Sequence, residues 1–166
     1  DPKWLMRLPM TKAAVRAMDT FTEVMAAPEG GGLTVDKFVV TGASKRGWTA
    51  WTTAAVEAAR DDNRVVAFAP IVIDLLNMEV SFRHHWDSLG QWSPQIWDYV
   101  VNGITDWFGT SQMRSLCEIV EPYWFRERFG VDYRPGRPDG IPKFIVNASG
   151  DSFFLPDSSQ FYYDRL

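Results

Sequence analysis

Histidine, cysteine and excess positive charge are all scarce in this chain. Among 166 residues there is one cysteine, Cys117, and two histidines, His84 and His85. A single cysteine excludes an internal disulfide. Cys117 lies in an apolar pattern with Leu116, Ile119 and Val120, which reads as a small buried hydrophobe and not as a nucleophile. Two adjacent histidines, with no further His, Cys or acidic cluster at ligand spacing, give little support for a metal site. Neither a phosphate-binding nor a dinucleotide glycine motif occurs, because Gly30-Gly31-Gly32 precedes a strand where a phosphate cradle would follow one. No cofactor is called for. Lys and Arg number 17 against 21 Asp and Glu, a net charge of -4, which lacks the electrostatic footprint of a nucleic-acid binder. No basic run argues for a membrane surface. The longest apolar stretches, such as Val65–Ile73, are far too short to span a bilayer. No signal peptide is visible. The ends, at Asp1 and in the aromatic run Phe161–Leu166, read as those of a piece cut from a longer chain.

What is present is a length and apolar content sufficient for one domain with a real core. Tryptophan is abundant, with 8 residues. Trp86, Trp92, Trp97, Trp107 and Trp124 crowd the middle of the chain and read mainly as core, although aromatics also line pockets. Met10, Ala14, Ala17, Phe21 and Met25 recur at helical spacing and predict a helix from about Pro9 to Ala27. Lys37–Thr41 reads as a short β-branched strand and Gly47–Arg60 as an Ala-rich helix. Val65–Ile73 reads as a strand buried on both faces, with Pro70 expected near its end. Residues 75–130 read as a long Trp-rich helical insertion, Tyr133–Gly140 as a loop and Pro142–Ala148 as a third strand. Asp157–Leu166 reads as a final helix with Asp157 as its N-cap. Helix and strand alternate as in parallel βαβ units, so the fold class is α/β. Three strands make a thin sheet with exposed edges, which suggests flanking strands outside this chain.

Ser44 carries the chemistry. In Phe38-Val39-Val40-Thr41-Gly42-Ala43-Ser44-Lys45-Arg46-Gly47-Trp48, a β-branched run reaches a serine at a turn and a helix follows. That is the shape of a nucleophile elbow, which exposes the hydroxyl above the sheet. The backbone N–H of Lys45, at the head of the helix, would face a developing oxyanion. Arg46 stands where the commoner elbow has its glycine, and Gly47 follows one position later. The competing reading is an ordinary strand-to-helix turn in which Ser44 caps the helix. Asp151, just past the Pro142–Ala148 strand, occupies the slot of a triad acid that would orient a histidine. Its competing reading is a turn aspartate bonded to its own backbone. Asp74, at the end of the preceding strand, is the reserve acid. Both histidines precede Asp151 and lie in the insertion, outside the order serine, acid, histidine. They read as a solvent-facing or pocket-lining pair, which leaves the triad base outside the chain.

Several stretches resemble the PhoPQ-activated pathogenicity-related protein family, which includes the autocrine proliferation repressors of slime moulds. They are Leu8-Pro9-Met10 with Ala17-Met18-Asp19, Thr41 to Trp51, Pro70 to Met78, and Asn147 to Asp157. The resemblance implies the central portion of an α/β-hydrolase fold, a partial domain over residues 1–166 with the insertion as a lid, and usually an exported protein, secreted or periplasmic. It places Ser44 and Asp151 at the nucleophile and acid positions. The Ser44 and Asp151 pattern suggests a serine hydrolase acting on an ester or amide of a small-molecule or peptide substrate. The other expectation is a non-catalytic secreted binding or signalling protein on the same scaffold.

Overall fold

The computed structural model describes residues 4–74, 76–130 and 140–166. Leu75 and most of the Tyr133–Gly140 loop lie outside the described residues. The order begins with α1 (Arg7–Ala26), β1 (Phe38–Ala43), α2 (Lys45–Ala58) and β2 (Val65–Ile71). It continues with α3 (Met78–Leu89), α4 (Trp97–Val101), α5 (Ser111–Val120) and a 3-10 segment, Pro122–Phe129. Two short 3-10 turns, Ser158–Phe161 and Tyr163–Arg165, follow near the end. The chain is mixed α/β with a small parallel sheet and many helices.

β1 and β2 pair in parallel, Val40 opposite Phe68 and Gly42 opposite Pro70. Residues 142–146 run along the other side of β2. Phe68 N–H donates to the Pro142 carbonyl at 3.1 Å, Phe144 N–H to the Phe68 carbonyl at 3.0 Å and Val146 N–H to the Pro70 carbonyl at 3.1 Å. The third strand expected over Pro142–Ala148 is reduced to two bridges, at Lys143 and Val146. The reason lies partly in Pro70, which sits inside β2 and has no N–H to give the facing Phe144 carbonyl. Phe144 itself is 72% exposed, so that side of the segment gains little from burial.

α2 supports the sheet. Its small residues Ala50, Ala54, Ala55 and Ala58 are buried, so the helix axis can lie close to β1 and β2. Trp51 meets the Phe68 ring at 4.8 Å and the Phe129 ring at 5.1 Å, both edge to face. Each such ring contributes on the order of 1.5–3 kcal/mol by burial, which ties the 3-10 segment to the α2–sheet core. α1 buries Thr11, Val15 and Met18, a stripe shifted from the expected Met10–Met25 face. Phe21 is instead half exposed and touches Phe38 edge to face at 6.2 Å. Thr11 and Thr52 share a buried 2.6 Å hydrogen bond between α1 and α2. That bond explains why a polar residue occupies the buried face.

The final helix expected over Asp157–Leu166 is absent. Two 3-10 turns stand there, and Asp157 makes no side-chain cap bond. Its carboxylate is turned to His84, and the segment is drawn onto Asp74 by side chains described below.

Candidate functional site

The sequence puts a six-residue strand directly against a helix with only Ser44 between them. The chain must therefore reverse within one residue, and Ser44 adopts φ 52, ψ -120. A non-glycine residue there stores on the order of 1–3 kcal/mol of strain. The N–H of Ser44 is fixed to the Ile71 carbonyl at 2.8 Å. Ser44 makes no side-chain cap bond to α2, so the simple capping role does not hold. The residue is exposed, and among the described residues its Oγ has no hydrogen-bond partner. The first-turn amides of α2, Lys45 N–H among them, are thus left uncapped.

Two glycines allow this turn. A Cβ on Gly42 would lie 2.5 Å from the Arg46 carbonyl oxygen, and one on Gly47 2.6 Å from Ile73 Cγ2. The helix passes too close to the strand for any side chain at either place. α1 braces the same turn. Arg7 stacks its guanidinium over Trp48 at 4.1 Å and reaches the Lys45 carbonyl at 3.3 Å. Trp48 Nε1–H donates to the Val120 carbonyl at 2.7 Å, joining the first turn of α2 to the end of α5.

The two acids differ in what holds them. Asp151 is half-buried. Its Oδ1 accepts the N–H groups of Phe153 at 2.8 Å and Phe154 at 3.1 Å, which is the turn role. Oδ2 has no partner among the described residues. Asp74, 1% exposed, follows β2 at its carboxyl end. Its Oδ2 accepts from Asn147 Nδ2 at 3.0 Å and from Ser159 N–H at 3.1 Å, and its Oδ1 accepts from the Tyr162 hydroxyl. Burial pushes the Asp74 carboxyl up to about 6, against the Tyr162 and Ser159 donors, with Asp157 adding a small upward push. Burial and the adjacent carboxylate also raise the Tyr162 hydroxyl. Asn147, Ser159 and Tyr162 were not singled out from the sequence. They lie 73 to 88 residues beyond Asp74, and only the polar residue closing the 142–146 segment hints at them.

Asp74 makes stability depend on pH. Its folded pKa lies above the ordinary value of 3.8, so the folded state binds the proton more tightly than the unfolded state. The resulting stabilisation is full below about pH 4 and is lost as pH rises through about 6. Tyr162→Phe removes a donor that favours the charged form. The wild-type fall across this window, measured by urea unfolding from about pH 4 to 7, should extend to higher pH in that variant.

The histidines are apart in role. His85 is buried, stacks on Trp92 at 5.7 Å and accepts the Ser93 N–H through Nε2 at 3.1 Å. Burial lowers its pKa, against the Phe153 carbonyl and with His84 assisting. His84 Nε2–H donates to Asp157 Oδ1 at 2.9 Å, and Ser88 Oγ lies 3.3 Å from Nδ1. Ser88, His84 and Asp157 therefore form a serine–histidine–aspartate chain. Ser88 sits in the last turn of α3, where backbone carbonyls and the negative end of the dipole face an incoming anion. An oxyanion would find repulsion there in place of donors. The chain instead latches α3 to the 157–161 turn, with the His84 ring against Phe161 at 5.0 Å.

A cleft of about 540 Å³ opens between α3, α5 and the Pro122–Phe129 segment. Neither Ser44 nor Asp151 lines it. Cys117 borders it at 3% exposure, its thiol pushed up to about 12 by burial and by Glu121. That is the inert buried cysteine expected from its pattern. Among the described residues no His, Cys, Asp and Glu group could hold a metal ion, and no helix is long and apolar enough to cross a membrane.

The profile of the PhoPQ-activated pathogenicity-related proteins matches residues 1–166. The chain belongs to this family. It is similar to autocrine proliferation repressor protein A of Dictyostelium discoideum, with 39% identity over 166 residues. That match covers 100% of this chain and 30% of the relative, so the chain spans under a third of the length of the curated relative it matches. No solved structure matches. The strained turn at Ser44, the Asp74 cluster and the Asp151 turn are thus features of a PhoPQ-related chain.

Proposed function

We propose that this chain is the central part of a serine hydrolase on the α/β-hydrolase pattern, acting on an ester or amide of a small molecule or peptide. The observation that carries the reading is the backbone of Ser44. It is strained, it stands between β1 and α2, and its hydroxyl is exposed and unbonded. In this reading the Ser44 Oγ attacks the carbonyl carbon and passes its proton to a histidine from the protein beyond these residues. The Lys45 N–H, at the uncapped start of α2, donates to the oxyanion. Asp151 uses its unbonded oxygen to orient that histidine. Asp74 is the reserve acid, since its carboxylate already accepts three donors. The parallel order of β1, β2 and residues 142–146, with α2 behind it, supports the scaffold assignment. Residues 75–130 are the helical insertion that would serve as a lid, and Ser44 stands exposed beside it. Residues 1–166 form part of a larger domain, exported to the periplasm or the medium. The family reading supports export, and no cofactor enters the chemistry.

Hydrolysis of p-nitrophenyl butyrate by the full-length protein tests the proposal. Ser44→Ala should lower kcat by about a thousandfold or more, with unfolding behaviour unchanged. Undiminished turnover in that variant removes Ser44 from the chemistry.

A second reading is a binding or signalling protein on the same scaffold. The relative's name, a proliferation repressor, favours it. A wild-type protein that turns over no ester or amide, yet binds a cell surface in a Ser44-independent manner, would be the outcome of that reading.

A further inference from the structure

We propose that the cleft between α3, α5 and the Pro122–Phe129 segment binds a small organic amine. Its ammonium group would lie between Glu79 and Glu121, and its apolar body against Val80 and Trp124. The proposal does not rest on the hydrolase reading, because the cleft is separate from Ser44.

Size is the first argument. About 540 Å³ lies within the range of small-molecule sites, which combine apolar walls with a few placed polar groups. The second argument is the balance of charge in the lining. Glu79 gives Oε2 to the Gly109 N–H at 2.9 Å, and its other oxygen has no partner among the described residues. Glu121 is 3% exposed, and its Oε1 accepts the Met78 N–H at 2.6 Å. Among the described residues, the one cation in the lining is Arg114. It is already engaged, with Nε on Glu118 Oε1 at 3.2 Å and its guanidinium 5.3 Å from the Trp124 ring.

Among the described residues, two carboxylates therefore line the cleft with no cation paired to them. A carboxylate or phosphate ligand would meet like charge there. A neutral ligand would desolvate the partly exposed Glu79 carboxylate without replacing its water. An ammonium supplies both the donors and the charge. Burial holds Glu121 above the ordinary carboxylate range, against the Met78, Cys117, Asn77 and Trp124 donors that favour its charged form. This is the state expected of a buried acid that lacks its counter-ion.

Calorimetric titration of the full-length protein with phenethylamine, phenethyl alcohol and 3-phenylpropionate tests this directly. The amine should bind saturably, and the alcohol at least about tenfold more weakly. The propionate should not bind. Glu79→Gln, at the rim of the cleft, should weaken the amine about tenfold. Glu121→Gln should do the same where its unfolding curve matches wild type. Equal binding of amine and alcohol overturns the proposal. So does wild-type affinity in Glu79→Gln, or the absence of saturation up to about 10 mM amine.

Discussion

Gly42→Ala should destabilise the fold by about 3 kcal/mol and abolish whatever Ser44 does. The added methyl would lie 2.5 Å from the Arg46 carbonyl oxygen and 2.6 Å from its carbon. These are backbone atoms of the first helical turn, which a rotamer change cannot move aside. Relief requires α2 to withdraw from β1, and the buried contacts of α2 oppose that. Trp51 is fully buried among Phe68 and Phe129, and the Trp48 ring nitrogen is bonded to Val120. The cost falls on the turn itself, so Ser44 should lose its exposed, strained position even where the variant stays folded. Urea unfolding reads the first effect and reaction with an active-site probe reads the second. A change under about 1 kcal/mol would mean that the helix and strand are not packed as tightly as described.

Arg64→Leu should cost a comparable amount, about 4 kcal/mol, for a different reason. Glu57 is 0% exposed on the inner face of α2. Its carboxylate is held chiefly by Arg64 through three bonds, Nη2 at 2.8 Å, Nε at 3.1 Å and the backbone N–H at 3.3 Å. Arg60 adds a longer contact at 3.5 Å from a half-exposed position. Arg64 also reaches Asp19 of α1 at 2.7 Å, so one guanidinium joins α1, α2 and the start of β2. Removing it leaves a carboxylate in the interior with two of its three donors gone. Glu57→Leu combined with Arg64→Leu should recover most of the loss, because replacing both partners by apolar groups leaves no uncompensated charge. A single variant as stable as wild type would show that solvent reaches Glu57.

Local chemistry was legible where it is also local in space. The β-branched run Phe38–Val40, the turn at Ser44 and the alanines of α2 follow from neighbours within a few residues. The structure places β1 and α2 within two residues of the expected limits. β2 ends at Ile71, one residue past Pro70, as the proline predicts, and not at Ile73. The Pro70 carbonyl still accepts from Val146, and only one ladder bond is forgone. The last segment departs from the helix its sequence predicts because distant groups overrule the local preference. Tyr162 is pulled to Asp74, Asn77 holds the Phe161 carbonyl at 3.1 Å, and His84 takes the carboxylate intended for a cap. Each of these partners lies more than seventy residues away. The cluster around Asp74 and the tie of Arg64 to Asp19 were invisible for the same reason. Asp151 shows the turn bonds of its plainer reading, and one free oxygen on which the catalytic proposal depends.

The central claim is that Ser44 is a nucleophile. Treating the full-length protein with a fluorophosphonate, digesting it with trypsin and mapping the adduct by mass spectrometry tests it most directly. The adduct should fall on Ser44 within the peptide Phe38–Lys45 and vanish in Ser44→Ala. An adduct on Ser88, an adduct that survives Ser44→Ala, or a wild-type protein that takes up no probe would contradict it.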